Sequence, residues 1–323
     1  MNRPIGILDE HPEWSRRLID ALETRRLPYE KIDHSSHTFD PRERAPHYSV
    51  VVNRTSPSSH TRGHGAVLFY AEALLAHYEG LGVPVINPVR AYRFEKSKAL
   101  QLELFERLGV RYPRAVVVNQ REQVLKVLDR IAFPLIVKPN VGGSGAGIVR
   151  FDSLEGLRAS LDTLAFGPDG TALVQEYIEP AEGAIVRVEV LDGRALYAIR
   201  IVREALAEFN LCPADICQVP ARPPAAAAHG ACPVDVKPGM TVTRFEAPPA
   251  AVETAERLTR EAGIDVGGVE YLVGARDGLT YFYDVNATSN FVADAPRVLG
   301  FDPFPAFVDL IVARATTGPH QPR

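Results

Sequence analysis

The stretch that most constrains this chain is Phe133-Pro-Leu-Ile-Val-Lys-Pro-Asn-Val-Gly-Gly-Ser-Gly-Ala-Gly-Ile-Val-Arg150. Leu135, Ile136 and Val137 form an apolar run suited to a buried strand, and Lys138 sets a compact positive charge at its end. Gly142, Gly143, Gly145 and Gly147, with Ser144 among them, let backbone N–H groups approach an anion without obstruction from a Cβ. A second short strand follows, so the segment reads as strand, glycine loop, strand: a phosphate clamp. It is not a P-loop, because no Gly-Lys-[Ser/Thr] follows, and not a dinucleotide fingerprint, because a strand rather than a helix comes next. A glycine-rich hairpin alone is as readily structural as functional, and the downstream sequence has to decide.

Downstream, Gly267-Gly-Val-Glu-Tyr-Leu-Val273 and Tyr281-Phe-Tyr-Asp-Val-Asn286 flank a turn at Asp277-Gly278, the pattern of an antiparallel hairpin. Asp284 and Asn286 are two apart and point to one face of their strand, and Glu270 on the partner strand can join them. Three hard oxygen donors on one sheet face suit magnesium, which takes few protein carboxylates and fills its shell with phosphate and water. The alternative is a solvated strand face. Asp and Asn are depleted in strand interiors, which favours the metal reading.

A chain of 323 residues, 46% hydrophobic and 24% charged, can bury two or three compact cores. A formal net charge of −4 and a pI near 6.2 exclude a nucleic-acid partner held by a basic surface. No apolar run approaches membrane-spanning length and no signal-peptide core follows Met1, so neither a membrane nor export is expected and the compartment is taken as cytoplasmic. Cys212, Cys217 and Cys232 read as reduced thiols; with His229 their spacing is too irregular for a zinc site.

Along the chain, strand patterns at 5–8, 29–32, 49–52 and 83–86 alternate with helical stripes through Trp14 to Leu22 and Ala66 to Tyr78. This is an open α/β unit, in which ligands gather at the carboxyl ends of strands. Asn53 and Arg54 stand at such an end: Arg54 is either a surface-loop arginine or a bidentate grip on a substrate carboxylate, with Arg62 and His64 close behind. His34, His37, His47 and His60 lie in polar stretches and read as surface histidines. Residues 94–109 read as one amphipathic helix closed by Gly109. Ser153 caps a helix running to about Leu164. Strands at 173–178, 184–191 and 195–202 follow, the last two joined by Asp192-Gly193. Pro223 to Ala228 is of low complexity, a helix runs from Pro248 or Pro249 to Ala262, and a final packing helix spans Phe304 to Val312.

The ordered set of Lys138, the 142–147 loop, Val174-Gln-Glu-Tyr-Ile178, Glu270 and Asp284-Val-Asn286 resembles the ATP-grasp superfamily, and within it the RimK-like glutamate ligase branch. The resemblance covers most of the chain. It implies an α/β (α+β) ATP-grasp fold: an N-terminal open α/β domain over 1–90, a central lobe over 91–176 carrying the glycine loop, and a C-terminal lobe over 177–323. The two lobes would have mainly antiparallel sheets, with a Pro/Ala-rich excursion near 204–245. It also implies ATP with Mg2+ or Mn2+, and a phosphate-binding lysine in the acid–Lys pair that opens a helix, placed at Glu95-Lys96 with Lys98 as fallback. Adenine would be held around Gln175, Glu176, Tyr177 and Ile178.

Arg187 matches the arginine of the family's Asp-Ile-Arg motif. The acid expected to meet the ribose is Ile185 here, so Glu182 is the substitute. Arg187, Arg200 and Arg203 are cations for the transferring phosphoryl group. Asn210 keeps the family's asparagine, whereas the His-Arg pair of relatives is absent, which points to a different acceptor. Ser289 and Asn290 stand where they could touch substrate. The implied activity is an ADP-forming carboxylate–amine ligation through an acyl phosphate, joining an amino acid such as glutamate to a second amino acid, a peptide or a carrier, in a homo-oligomer. A small-metabolite kinase and a nucleotide-binding regulatory protein are the alternatives.

Overall fold

The computed structural model describes residues 3–11, 13–143, 145–203, 209 and 240–317. Three sheets carry it. The first is parallel, in the order β2-β1-β3-β4, from β1 (Ile5–Leu8), β2 (Tyr29–Ile32), β3 (Val50–Asn53) and β4 (Val85–Ile86). Its helices are α1 (Arg16–Thr24) and α2 (Val67–Gly80). β1 and β3 are buried on both faces, which is why they are unbroken apolar runs.

The expected single helix over 94–109 is two helices, α3 (Val89–Glu95) and α4 (Lys98–Arg107). Ser97 makes the break: its Oγ accepts from the Leu100 N–H at 3.3 Å and caps α4. α3 and α4 pack through Ala91, Leu104 and Phe105 onto the third sheet, not onto the sheet that follows them in sequence.

The second sheet, order β5-β8-β6-β7 and wholly antiparallel, is built from β5 (Ala115–Val118), β6 (Leu135–Pro139), β7 (Val149–Phe151) and β8 (Ala172–Glu176). α5 (Arg121–Lys126) and α6 (Leu154–Ser160) cover it, and Ser153 caps α6 by accepting from the Gly156 N–H at 3.2 Å. Its core, from Val118 to Val174, is drawn from this lobe alone.

The third sheet, order β11-β10-β9-β12-β13, is also antiparallel: β9 (Pro180–Leu191), β10 (Arg194–Arg203), β11 (Met240–Phe245), β12 (Val266–Gly274) and β13 (Thr280–Asn286). α7 (Pro249–Ala262) packs on it, with Pro in its first turn and Gly263 ending it. α8 (Ala295–Leu299) and α9 (Phe304–Thr317) close the chain. Phe304, Phe307, Val308 and Ile311 of α9 join Ile5, Ile7 and Val50 of the first sheet and Ile185 and Ile199 of the third in one core. The first and third sheets are thus fused. Among the described residues, no helix is long and apolar enough to cross a membrane.

Candidate active site

A cleft of about 230 Å3 opens where the second sheet faces the other two. β6 delivers Lys138 to its edge, and the glycine loop that follows turns back through Gly145 and Gly147, at φ 71° and 75°, conformations that L side chains rarely adopt. Gly142, Gly143 and Gly145 line the cleft; Ser144 lies outside the described residues.

Two amide side chains lock the parts together. Asn140, just beyond β6, accepts from the Ala99 N–H at 2.8 Å and donates to Asp169 at 2.6 Å, tying the loop to the start of α4. Gln101 of α4 grips the backbone of Val285: its Nε2 donates to the Val285 carbonyl at 2.9 Å and its Oε1 accepts from the Val285 N–H at 3.1 Å. Val285 lies between Asp284 and Asn286, so this clamp fixes both acid-face residues. Neither amide was singled out from the sequence, because their partners stand 29 to 184 residues away.

Glu270, Asp284 and Asn286 all face the cleft, and Glu270 and Asp284 are direct partners in the β12–β13 register. Arg187 on β9 pairs across with Glu270 and donates to it from Nη1 at 2.8 Å. Lys98 donates to Asp284 at 2.7 Å. Burial pushes the Asp284 carboxyl upward, but Lys98, with Lys138 behind it, outweighs burial and holds it below its usual range. Burial alone would lower Lys98, yet the Asp284 charge keeps it raised. Lys138 has no partner among the described residues; burial and the neighbouring Lys98 charge pull it down to about 7.

The donor set fits a hard divalent cation. It consists of oxygens only, two carboxylates and an amide, and Asn286 Nδ2 is buried without a partner among the described residues. Among the described residues, no three or more His, Cys, Asp or Glu are grouped so as to hold a metal ion, so an ion here would complete its shell with ligands from outside the protein.

The structure redirects several expectations. Lys96 does not enter the cleft: the break at Ser97 turns it outward to pair with Glu72, its ammonium 5.3 Å from the Phe69 ring centroid. Lys98, the fallback, is the lysine inside. Arg54 is 2% exposed and is no free grip for a carboxylate, because one terminal nitrogen donates to the Ser289 carbonyl at 2.8 Å and the other to Asn290 Oδ1. It staples the first sheet to the 289–290 segment. Asn53 is likewise turned inward, accepting from the Thr55 N–H at 3.0 Å. Arg62 pairs with Glu10, which also takes His64 at 2.9 Å. Neither Arg54, Asn53 nor Arg62 lines the cleft, whereas Ser289 and Asn290 do.

Arg200 pairs with Glu182, and neither reaches the cleft wall, although Ile185 does. Gln175, Glu176, Tyr177 and Ile178 line the cleft together, with Glu176 accepting from the Arg114 N–H at 2.6 Å and Arg150 stacked 4.1 Å over Tyr177. His34 is buried rather than a surface histidine, its Nε2 3.1 Å from Thr55 Oγ1. Asn210, the cysteines and the Arg203 side chain lie outside the described residues. Glu95, Thr288 and Trp14, not assigned a place in the cleft beforehand, also line it. Glu95 accepts from Thr288 Oγ1 at 2.6 Å and from the Ala287 N–H.

Residues 95–211 match the family model of the RimK-like ATP-grasp domain. A probable alpha-L-glutamate ligase 1 of Shewanella denitrificans is 25% identical over 285 residues, 83% of this chain and 84% of its own length. A probable alpha-L-glutamate ligase of Saccharophagus degradans is 27% identical over 209 residues, 61% of this chain and 66% of its own. The solved structure of the ATP-grasp ligase PsnB complexed with a phosphomimetic variant of minimal precursor, Mg and ADP superposes with a TM-score of 0.68 at 19% identity, over 98% of this chain and 100% of that one. D-alanine–D-alanine ligase from Bacillus anthracis complexed with ATP superposes with a TM-score of 0.66 at 16% identity, over 97% and 96%. The fold is that of ATP-grasp ligases.

Proposed function

We propose that this chain, an ATP-grasp ligase of carbon–nitrogen bonds carrying a RimK-like domain, joins the carboxylate of an amino acid or peptide to an amine through an acyl phosphate. The observation that carries the reading is the convergence of three cations, Lys98, Lys138 and Arg187, with three oxygen donors, Glu270, Asp284 and Asn286, in one cleft under the glycine loop.

A carboxylate is a poor acceptor for an amine until one oxygen becomes a leaving group. In the first step a substrate carboxylate oxygen attacks the terminal phosphorus of ATP; the new O–P bond forms as the bridging P–O bond breaks and ADP departs. In the second, the amine nitrogen attacks the acyl carbon, the C–N bond forms, and phosphate leaves with the electron pair while the amine's proton passes to solvent. Lys98 and Lys138 offset the charge of the phosphates, and Arg187 stabilises the oxygen on which charge builds. Glu270, Asp284 and Asn286 would hold a magnesium ion, which neutralises and orients phosphate oxygens when bound. The glycine loop excludes water, to which an acyl phosphate would otherwise be lost.

Homologues named glutamate ligases support an amino-acid substrate, and PsnB, solved with a precursor peptide, supports a peptide as one partner. Trp14, Ser56, Thr288, Ser289 and Asn290 also line the cleft, and we assign the acceptor to them. The test is phosphate release over paired carboxylates and amines, with mass spectrometry of the product. ADP and an amide appearing only when both partners are present is the expected result. AMP, or ADP with a stable phosphorylated product and no amine, overturns it.

A further inference from the structure

Arg187 does not reach the cleft on its own account. Its guanidinium is held on two sides: Nε donates to Glu189 Oε1 at 2.6 Å and Nη1 to Glu270 Oε1 at 2.8 Å. Glu189 is two residues further along β9, so both side chains leave the same face of the strand. In the β9–β12 register Glu189 lies opposite Gly268 and Arg187 opposite Glu270. The guanidinium occupies the space that a side chain at 268 would fill: a Cβ built there overlaps its Cζ, Nε and Nη2. Gly268 is therefore a floor, Glu189 a back wall and Glu270 a front wall.

The two walls differ. Glu270 lines the cleft and belongs to the oxygen set that fits a cation, so its grip on Arg187 is shared once a cation is bound. Glu189 is 0% exposed, does not line the cleft and touches nothing that reacts. Its second oxygen, Oε2, is buried with no hydrogen-bond partner among the described residues. A carboxylate used for stability alone is a poor choice there, because a buried ion pair is often replaceable by apolar residues without loss, and a half-satisfied one is worse.

From this geometry we infer that Glu189 and Gly268 are positioning residues that keep the Arg187 guanidinium aimed into the cleft when Glu270 is engaged elsewhere. The inference rests on the proposed function for what Arg187 does, but not for how it is held. Without Glu189, Arg187 would follow Glu270 or swing to the bound phosphates. Without Gly268, it would be pushed off the sheet.

The test follows the Arg187 Nε–H resonance by 1H–15N NMR in the full chain, alone and with magnesium and a non-hydrolysable ATP analogue, alongside steady-state kinetics. In the native protein the resonance stays protected from exchange in both states. In Glu189→Gln it moves and exchanges faster, and kcat falls on the order of 10- to 100-fold with KM for ATP unchanged. In an Arg187→Lys background the same substitution changes kcat no further. Gly268→Ala, should Glu189→Gln fold poorly, gives the same displaced resonance with the Glu189 charge intact. A resonance that keeps its position and protection in both variants overturns the inference, as does an equal fall in kcat with and without Arg187. If no carboxylate–amine pair supports turnover in the native chain, the proposed function falls, and the resonance still decides how Arg187 is held.

Discussion

The second sheet and the third face each other across the cleft, yet they are built differently. The second keeps its core to itself: Val118, Leu135, Phe151, Leu157 and Val174 pack only with one another and their own helices. The third shares its core with α3, α4 and α7 on one side and with the first sheet, α1 and α9 on the other. Val141, at the root of the glycine loop, packs with the first sheet's helical side, and Asn140 reaches α4, so this root ties the two lobes together. The acid face, Arg187 and Lys98 thus stand on the fused body, whereas Lys138 and the glycines stand on a lobe with an independent core. Under the proposed function this difference would divide the labour: the reacting groups belong to the fused body, and the clamp on the nucleotide to the separate lobe.

Four experiments sharpen or break that division. The largest effect is expected from Asp284→Ala, which should cut ADP formation by ~10³-fold through kcat while the fold persists, whereas Lys138→Ala on the other lobe should cost ~10²-fold mainly through KM for ATP. Steady-state kinetics with ATP varied checks this; both losses falling on the same parameter breaks the division. Next, Lys98→Met should lower turnover by about 10²-fold and Lys96→Met by no more than about 3-fold, because only Lys98 meets the cleft. Equal losses would return Lys96 to the site.

Third, Leu157→Ala and Leu258→Ala remove equally buried side chains and should each cost ~2–5 kcal/mol, with different reach. Hydrogen exchange should show L157A loosening only residues near 115–176, and L258A loosening the first and third sheets together. The smallest effect is a proton. Lys138 sits near 7 in the folded chain, against 10.5 for the free side chain. Between those values the unfolded chain binds more protons, so stability without nucleotide rises with pH over that window. Phosphates beside Lys138 restore its charge, so at pH 8 nucleotide binding should take up a fraction of a proton. Calorimetry in two buffers of different ionisation enthalpy measures it, and proton release would contradict the placement of Lys138.

Much of this was legible in the residue order. The strand–loop–strand around Lys138 and the alternation that puts Asp284 and Asn286 on one face are local patterns, and local patterns survive folding. Ser97 was legible too: a good cap inside an apolar stripe marks a helix start, and reading it as such would have chosen Lys98 over Lys96. Arg54 could not be read this way, since its partners lie 235 and 236 residues later and the buried staple exists only in three dimensions. The same holds for His34, whose polar neighbours suggested water but whose strand end is covered. Glu189 lay between. The run Val186-Arg-Val-Glu-Val190 alternates charge with apolar residues, which announces one polar face, but only the register with Gly268 shows that this face is buried.

The return of α9 to the first sheet has a consequence for how the molecule is made. Strands β1 and β3 leave the ribosome well before the side chains that cover one of their faces, Phe304, Phe307, Val308 and Ile311 of α9, have been made. Until then the nascent chain carries a bare greasy surface. Shortening the chain anywhere before residue 304 should leave a client of chaperones rather than a smaller folded protein.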